Sequence, residues 1–445
     1  MTRRFSRFVL FVALLIIPLL ARPAQATTIQ RVVSPGGIEA WLVQEPSLPL
    51  VALNFAFEGG ASQDPTDKPG VAYMVSSLLD DGAGELDTKA FHQSLEDNAA
   101  ELRFSITHDY FFGSIRLLRE RQDQSFELLR LALNEPRFDT DAVNRVRDQI
   151  VAALRRESTD PGSIATRTWW HTAFPNHPYG RPTNGELTSI PAVKVEDLRS
   201  YVKNALTRST LKVAAVGDIN PAELGKVLDR VFGGLPAGGT LTAVPDITMQ
   251  GADRRIVTQL NVPQSVVRLG GVGLMRKDPD FIPAYIVNHI LGGGSFTSRL
   301  YEEVREKRGL VYGVYSYLLG MRHTALFMTT TQAGADATRE ALDIIEAQTK
   351  RMVTDGPTED ELAKAKAYLK GSYSLNFDTS TKIANMLLQI QLDELGIDYI
   401  DKRNGLMDAV TIEDARRAAK RLAAGGMLVT VVGQPKGLTS KEPGG

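Results

Sequence analysis

Apolar positions along this chain follow two different periods, and the switches between them mark out elements. Alternation with period two runs through WLVQEPSLPLVALNFAFEGG (41–60), LKVAAVGDINP (211–221), SVVRLGGVGL (265–274) and MLVTVVGQP (427–435), which predicts β-strands. Spacing of three and four predicts amphipathic helices at 138–157, 193–206, 357–374 and 410–423. A shorter helical pattern at 71–79 places Tyr73, Ser76 and Ser77 at i, i+3 and i+4, on one face. That face raises a question, because clustered hydroxyls supply neither a strong base nor good metal ligands.

The elements occur twice in one order. The helix FDTDAVNRVRDQIVAALRRE (138–157) is echoed by PTEDELAKAKAYLKGSYS (357–374), and VKVEDLRSYVKNAL (193–206) by VTIEDARRAAKRLA (410–423). Glu196 and Glu413 are 217 positions apart, Val143 and Leu362 are 219 apart. So steady an offset predicts a duplicated domain of about 200 residues, far beyond a solenoid repeat. The Gly/Pro-rich VFGGLPAGGTLTAVPD (231–246) has neither period and reads as a linker. The expected division is 27–232, a linker at 233–250, 251–435, and a disordered tail at 436–445. Strands and helices do not alternate strictly, which favours an α+β class with helices packed on a mostly antiparallel sheet.

Composition narrows the setting. Arg3, Arg4 and Arg7, the apolar run 8–20 with Pro18, and Ala24-Gln25-Ala26 form a signal peptide over 1–26. An uncleaved anchor is the alternative reading, although the run is short for a bilayer span. Cleavage would remove four arginines and no acid, taking formal net charge from −1 to −5. Such a chain has no cationic excess to displace counterions, which argues against nucleic acid. With no cysteine among 445 residues there is no disulfide, thiolate metal site or Cys nucleophile. A periplasmic location is the expectation.

No P-loop, GxGxxG or GxSxG pattern occurs. None of the six histidines (92, 108, 171, 177, 289, 323) pairs with another at i+4, which argues against a His-based zinc site. The loop LGGGSFTSRL (291–300), with Gly292, Gly293, Gly294, Ser295, Thr297 and Ser298, suits either an anion cradle or a flexible loop over a cleft. LYEEVREKRGLVYGVYSYL (300–318) predicts a charged helix to 308, Gly309 as a left-handed cap and a strand from 310. That turn lets Arg305 and Tyr312 converge as two hydrogen-bond donors suited to a peptide carbonyl or oxyanion. Solvated charges beside a β-rich strand are the plainer reading of the same residues.

These motifs, with HPYGRPTNG (177–185) and the helix start from Pro191 to Leu198, resemble the pitrilysin/insulinase superfamily, in its mitochondrial processing peptidase-like branch, over residues 35–435. The resemblance implies two homologous domains forming half of a clam-shell chamber. It also implies a His-x-x-Glu-His zinc motif where this chain has Tyr73, Ser76 and Ser77. The expected third ligand, a Glu, falls on Ala153, which lies 76 residues past Ser77. The resemblance also implies a Gly-x-x-Asn-Ala strand whose Asn holds the peptide backbone; in AAELRFSITHD (99–109) Arg103 and Phe104 stand at the Asn and Ala places, two larger side chains expected to obstruct a docked strand. Arg305 and Tyr312 remain.

The combined expectation is a zinc-free subunit, with no cofactor of its own, of a periplasmic heteromeric metallopeptidase. It would lend Arg305 and Tyr312 to a homologous zinc-bearing partner, as a heterodimer or dimer of heterodimers cleaving unfolded peptides. The alternatives are an inactive scaffold or peptide-binding protein like respiratory-complex core proteins, and a hydrolase using Tyr73 with Ser76 or Ser77.

Overall fold

The computed structural model describes residues 28–442, so the expected signal peptide at 1–26 lies outside the described residues. The first half builds six strands: β1 (Ile29–Val33), β2 (Glu39–Gln44), β3 (Leu50–Glu58), β4 (Glu101–Ile106), β5 (Tyr110–Leu118) and β6 (Lys212–Gly217). They form one sheet in the order β1-β2-β6-β3-β5-β4. The second half builds β7 (Arg255–Gln259), β8 (Gln264–Val272), β9 (Val311–Gly320), β10 (Ala325–Gly334) and β11 (Leu428–Gly433), in the order β7-β11-β8-β10-β9. With β1 set aside the two topologies coincide. In each, only the pairing of the first strand with the last is parallel (β2 with β6, β7 with β11). The fold is α+β, and the duplicated order of elements is a duplicated architecture.

Alternation in β3 sorts its side chains onto two buried faces. Val51, Leu53, Phe55 and Phe57 enter the core beneath the first half's own helices, while Ala52 and Ala56 face the other way. That second face is covered from the opposite half. Ile383, Ala384, Leu387 and Leu388 of the helix Ser380–Leu392 pack onto Ala52, Ala56, Ala214, Val216 and Trp41. The alanines leave room for the helix to approach the sheet. Gln391 secures it, its Nε2 donating to Val213 O at 2.9 Å.

The arrangement is reciprocal. The helix Pro161–Ala173 of the first half lies on the second sheet, where buried Trp169 packs with Leu326, Met328 and Leu428. Its indole donates to Leu428 O at 3.1 Å. Gly270 makes this possible, because a Cβ there would stand 2.1 Å from the Trp169 ring. Each half therefore completes the other's core.

A polar knot ties the halves at one end. Tyr179, from the HPYG stretch, donates to Asp109 Oδ1 at 2.5 Å, and Asp109 Oδ2 accepts from Arg322 N at 3.0 Å. Arg322 pairs with Glu58 at 2.6 Å. The expected linker is strapped down rather than loose: Thr242 exchanges two hydrogen bonds with the Gln63 amide, and Met249 is buried beside Trp169. The tail departs from the expectation of disorder as far as 442. Leu438 is buried in the second core, and Lys441 pairs with Arg255 of β7 through two 2.8 Å backbone bonds. One apolar side chain and an open sheet edge suffice to order a Gly- and Pro-rich segment.

Candidate functional site

The helix expected over 71–79 is regular only as Val71–Ser76. Ser76 Oγ and Ser77 Oγ both donate to Tyr73 O, at 2.8 and 2.9 Å, competing with the backbone ladder as serine hydroxyls do. Past Ser76 the backbone tightens, Leu78 N and Leu79 N both donating to Val75 O. The two hydroxyls are thus spent inside their own turn, and Tyr73 packs partly buried against the first core. Asp64 holds the helix start, accepting from Gly70 N at 2.6 Å and Ala72 N at 2.8 Å. Burial outweighs those bonds and pushes its carboxyl up to about 7.

Ala153 lies half-buried on the helix Thr140–Glu157 and offers no ligating atom. No three His, Cys, Asp or Glu side chains converge among the described residues in a way that could hold a metal. The donor set at 73, 76, 77 and 153 therefore does not fit a zinc ion: a phenol, two internally bonded hydroxyls and a methyl group.

Strand β4, at the sheet edge, carries the two residues expected to obstruct a peptide. The expectation needs correction for Phe104. Its ring lies 6.4 Å from Phe55 and 5.9 Å from Phe111 and fills the core margin. Arg103 is the member of the pair left exposed. Strict alternation along a strand separates them onto opposite faces.

In the second half, the helix Phe281–Asn288 runs into a widened turn whose Gly294 N donates to His289 O, five residues back. Such turns recur at functional sites. The glycines are demanded by close packing: a Cβ on Gly292 would meet Ser316 Oγ at 2.5 Å, and one on Gly293 the Asn288 amide at 2.7 Å. Thr297 and Ser298 hydroxyls donate to Gly294 O and Ser295 O, so they are turned inward and form no anion cradle. Phe296, at the tip, is 75% exposed. Arg299 anchors the loop to the helix Glu359–Gly371, donating to both Glu361 oxygens at 2.6 Å.

Arg305 and Tyr312 sit on either side of Gly309, whose φ of +64° makes the left-handed cap read from the sequence. Tyr312, on edge strand β9, is 90% exposed. Arg305 is half-exposed, contacts the Glu306 carboxylate, and lies 5.3 Å over the Tyr301 ring. The bond to Glu306, with smaller effects of Tyr301 and Tyr312, raises its pKa further. Tyr312 faces solvent and Arg305 is half-exposed, with no direct bond between them. Chemically this is a pair of donors, one of them already paired with a carboxylate.

Fold and site together define a peptidase-like chain built from two copies of one domain, with zinc ligands missing from the first. Residues 41–186 match the family model described as insulinase (peptidase family M16), and 192–369 match that of the peptidase M16 inactive domain. The chain belongs to the insulinase (M16) family. Among its relatives is the non-peptidase homolog YmxG of Helicobacter pylori, 27% identical over 343 residues, 76% of this chain and 78% of that protein. An uncharacterized zinc protease of Streptomyces coelicolor is 24% identical over 418 residues, 92% of this chain and 90% of that one. The crystal structure of a peptidase M16 inactive domain from Pseudomonas fluorescens superposes with a TM-score of 0.87 at 27% identity. It covers 93% of this chain and 99% of that one.

Sequence reasoning missed Asp64 and the Asp109–Tyr179 knot. A lone Asp before a helix and a Tyr after a Pro are too common to single out, and their partners lie far away along the chain.

Proposed function

We propose that this chain is the zinc-free subunit of a two-chain metallopeptidase, exported to the periplasm, whose partner is a homologous His-x-x-Glu-His-bearing chain. One observation carries the reading: the halves differ in what they expose. In the first, Ser76 and Ser77 bond internally and position 153 is alanine; in the second, Tyr312 stands in solvent and Arg305 is half-exposed. Non-peptidase naming of the Helicobacter relative supports the same direction. In the complex, the guanidinium and phenol would donate to the scissile carbonyl of an unfolded peptide, stabilising charge that develops on its oxygen. The zinc and the general base belong to the partner.

The purified chain is expected to hold no stoichiometric zinc and to cleave no peptide; one tight zinc per chain by metal analysis would sink the reading. Mixed with the zinc-bearing chain, Arg305→Ala or Tyr312→Phe should reduce turnover by about 10²-fold, the scale of losing one oxyanion donor. An inactive scaffold is the second reading, favoured by the contact Arg305 already makes with Glu306. Under it the mixed complex forms and both variants turn over like the parent.

A further inference from the structure

The second half contains a cation that this reading leaves unused. Arg403, on the helix Tyr399–Ala409, is 6% exposed. Its guanidinium lies 3.9 Å from the Tyr373 ring centroid. Nη1 donates to Leu369 O at 3.2 Å and to Asn404 Oδ1 at 3.3 Å. Among the described residues it forms no ion pair with a carboxylate, whereas Asp280, the other charged side chain of this half buried to the same degree, pairs with Arg417 and Arg421. A buried charge left without a counterion is costly, and such sites are ordinarily completed by a partner of opposite sign.

A cavity of about 420 Å³ opens over Arg403, a size suited to a small ligand. Its walls are largely aromatic and apolar, with Tyr285, Tyr317, Tyr373, Tyr399 and Met386 among them. A second guanidinium, Arg276, is stacked between Phe281 (4.3 Å) and Tyr399 (5.2 Å) and donates to the Tyr399 hydroxyl at 2.6 Å. Arg276 has a counterion, Asp393 at 3.5 Å. Two cations and one acid leave the pocket one positive charge in excess. Arg276, Phe281, Gln389 and Asp393 also line a larger cleft of about 810 Å³ between the halves, so the two cavities adjoin.

We propose that this pocket binds a monoanionic carboxylate carried on an apolar or aromatic body, with Arg403 as the partner of the anion. One unmatched charge suits a carboxylate better than a phosphate dianion, and with Nη1 already bonded to Leu369 and Asn404 the fork left for its two oxygens is Nε with Nη2. The tyrosine faces and Met386 enclose the body. Two sources share this chemistry: the free C-terminus of a peptide ending in an apolar residue, and a small aromatic acid. The inference is independent of the subunit reading, because it concerns binding by the purified chain alone.

Calorimetric titration of the chain with N-acetylphenylalanine and its amide tests it, alongside a short peptide ending in Phe as free acid and as amide. The free acid of at least one pair should bind at least about tenfold more tightly than its amide, and Arg403→Met should erase that difference. Binding of the peptide acid identifies a chain terminus as the source; binding of the small acid alone identifies a free acid. Equal binding of acid and amide in both pairs, no binding of either acid, or an acid preference that survives in Arg403→Met overturns the proposal. If Arg403→Met fails to fold, Met386→Trp fills the cavity without touching the charge. Binding must then disappear, and its persistence overturns the proposal equally.

Discussion

At residue scale, the difference between a catalytic helix and a structural one lies in where two hydroxyls point. Ser76 and Ser77 could face a reaction site by spacing alone; instead both return to Tyr73 O. The glycines of the 291–297 loop carry a comparable lesson. Their run suggested mobility or anion binding, but Gly292 is there because Ser316 passes too close for any Cβ. Gly292→Ala should therefore cost about 1–3 kcal/mol in chemical denaturation, the range of overpacking. Gly371→Ala, with nothing within 4 Å of the new methyl, is the control and should be neutral or stabilising by up to about 1 kcal/mol. Equal effects would mean that the Ser316 contact does not require the glycine. At this scale the sequence exposed residue types and withheld orientations, as Phe104 shows: read as an obstruction, it is part of the core.

At the scale of elements, periodicity located the helices 140–157, 195–205, 359–371 and 412–421 within two or three residues, because each has an apolar stripe and a clear start. Thr358 and Thr411 cap two of them with reciprocal bonds to Glu361 and Asp414. Glu361 does more than cap. Burial opposes its charge, but the Arg299 fork and the Thr358 contacts prevail and hold its carboxyl at about 2. A depressed carboxyl contributes stability above its unfolded value of 4.5, and that contribution is lost as pH falls toward about 2. Melting temperature should accordingly fall less steeply in Glu361→Gln than in the parent between about pH 5 and pH 2, from a lower starting value at neutral pH. Identical acid limbs would show that the Arg299–Glu361 clamp is not what titrates. The helix expected at 71–79 ended early for the opposite reason: its serines bond backward to Tyr73 O and the turn beyond them tightens.

At the scale of the whole molecule, the duplication was legible but its consequence was not. Each half lays one helix on the other's sheet, Ser380–Leu392 on β3 and β6, Pro161–Ala173 on β8 and β11. Expressed separately, segments 28–250 and 251–442 should each expose an apolar sheet face, bind a hydrophobic dye and aggregate, yet co-purify when produced together. Two soluble, dye-silent halves would refute the mutual completion. Trp169→Ala belongs to the same test and should lower stability by about 3–5 kcal/mol in a single transition, the usual cost of emptying a buried aromatic site. A loss confined to one of two separate transitions would mean that the halves unfold independently.

The sequence by itself determined the α+β class, the two-fold repeat, the positions of the main helices and the residue types at 73, 76, 77 and 153. These depend on residue type and local period, which a chain carries wherever it goes. Only the tertiary structure decided which helix covers which sheet, that the linker and the tail as far as 442 are strapped down, and that Arg403 lies buried without a counterion among the described residues. Those depend on contacts between residues tens to hundreds of positions apart, such as Trp169 with Leu428 or Arg403 with Tyr373, and no local period encodes such a contact.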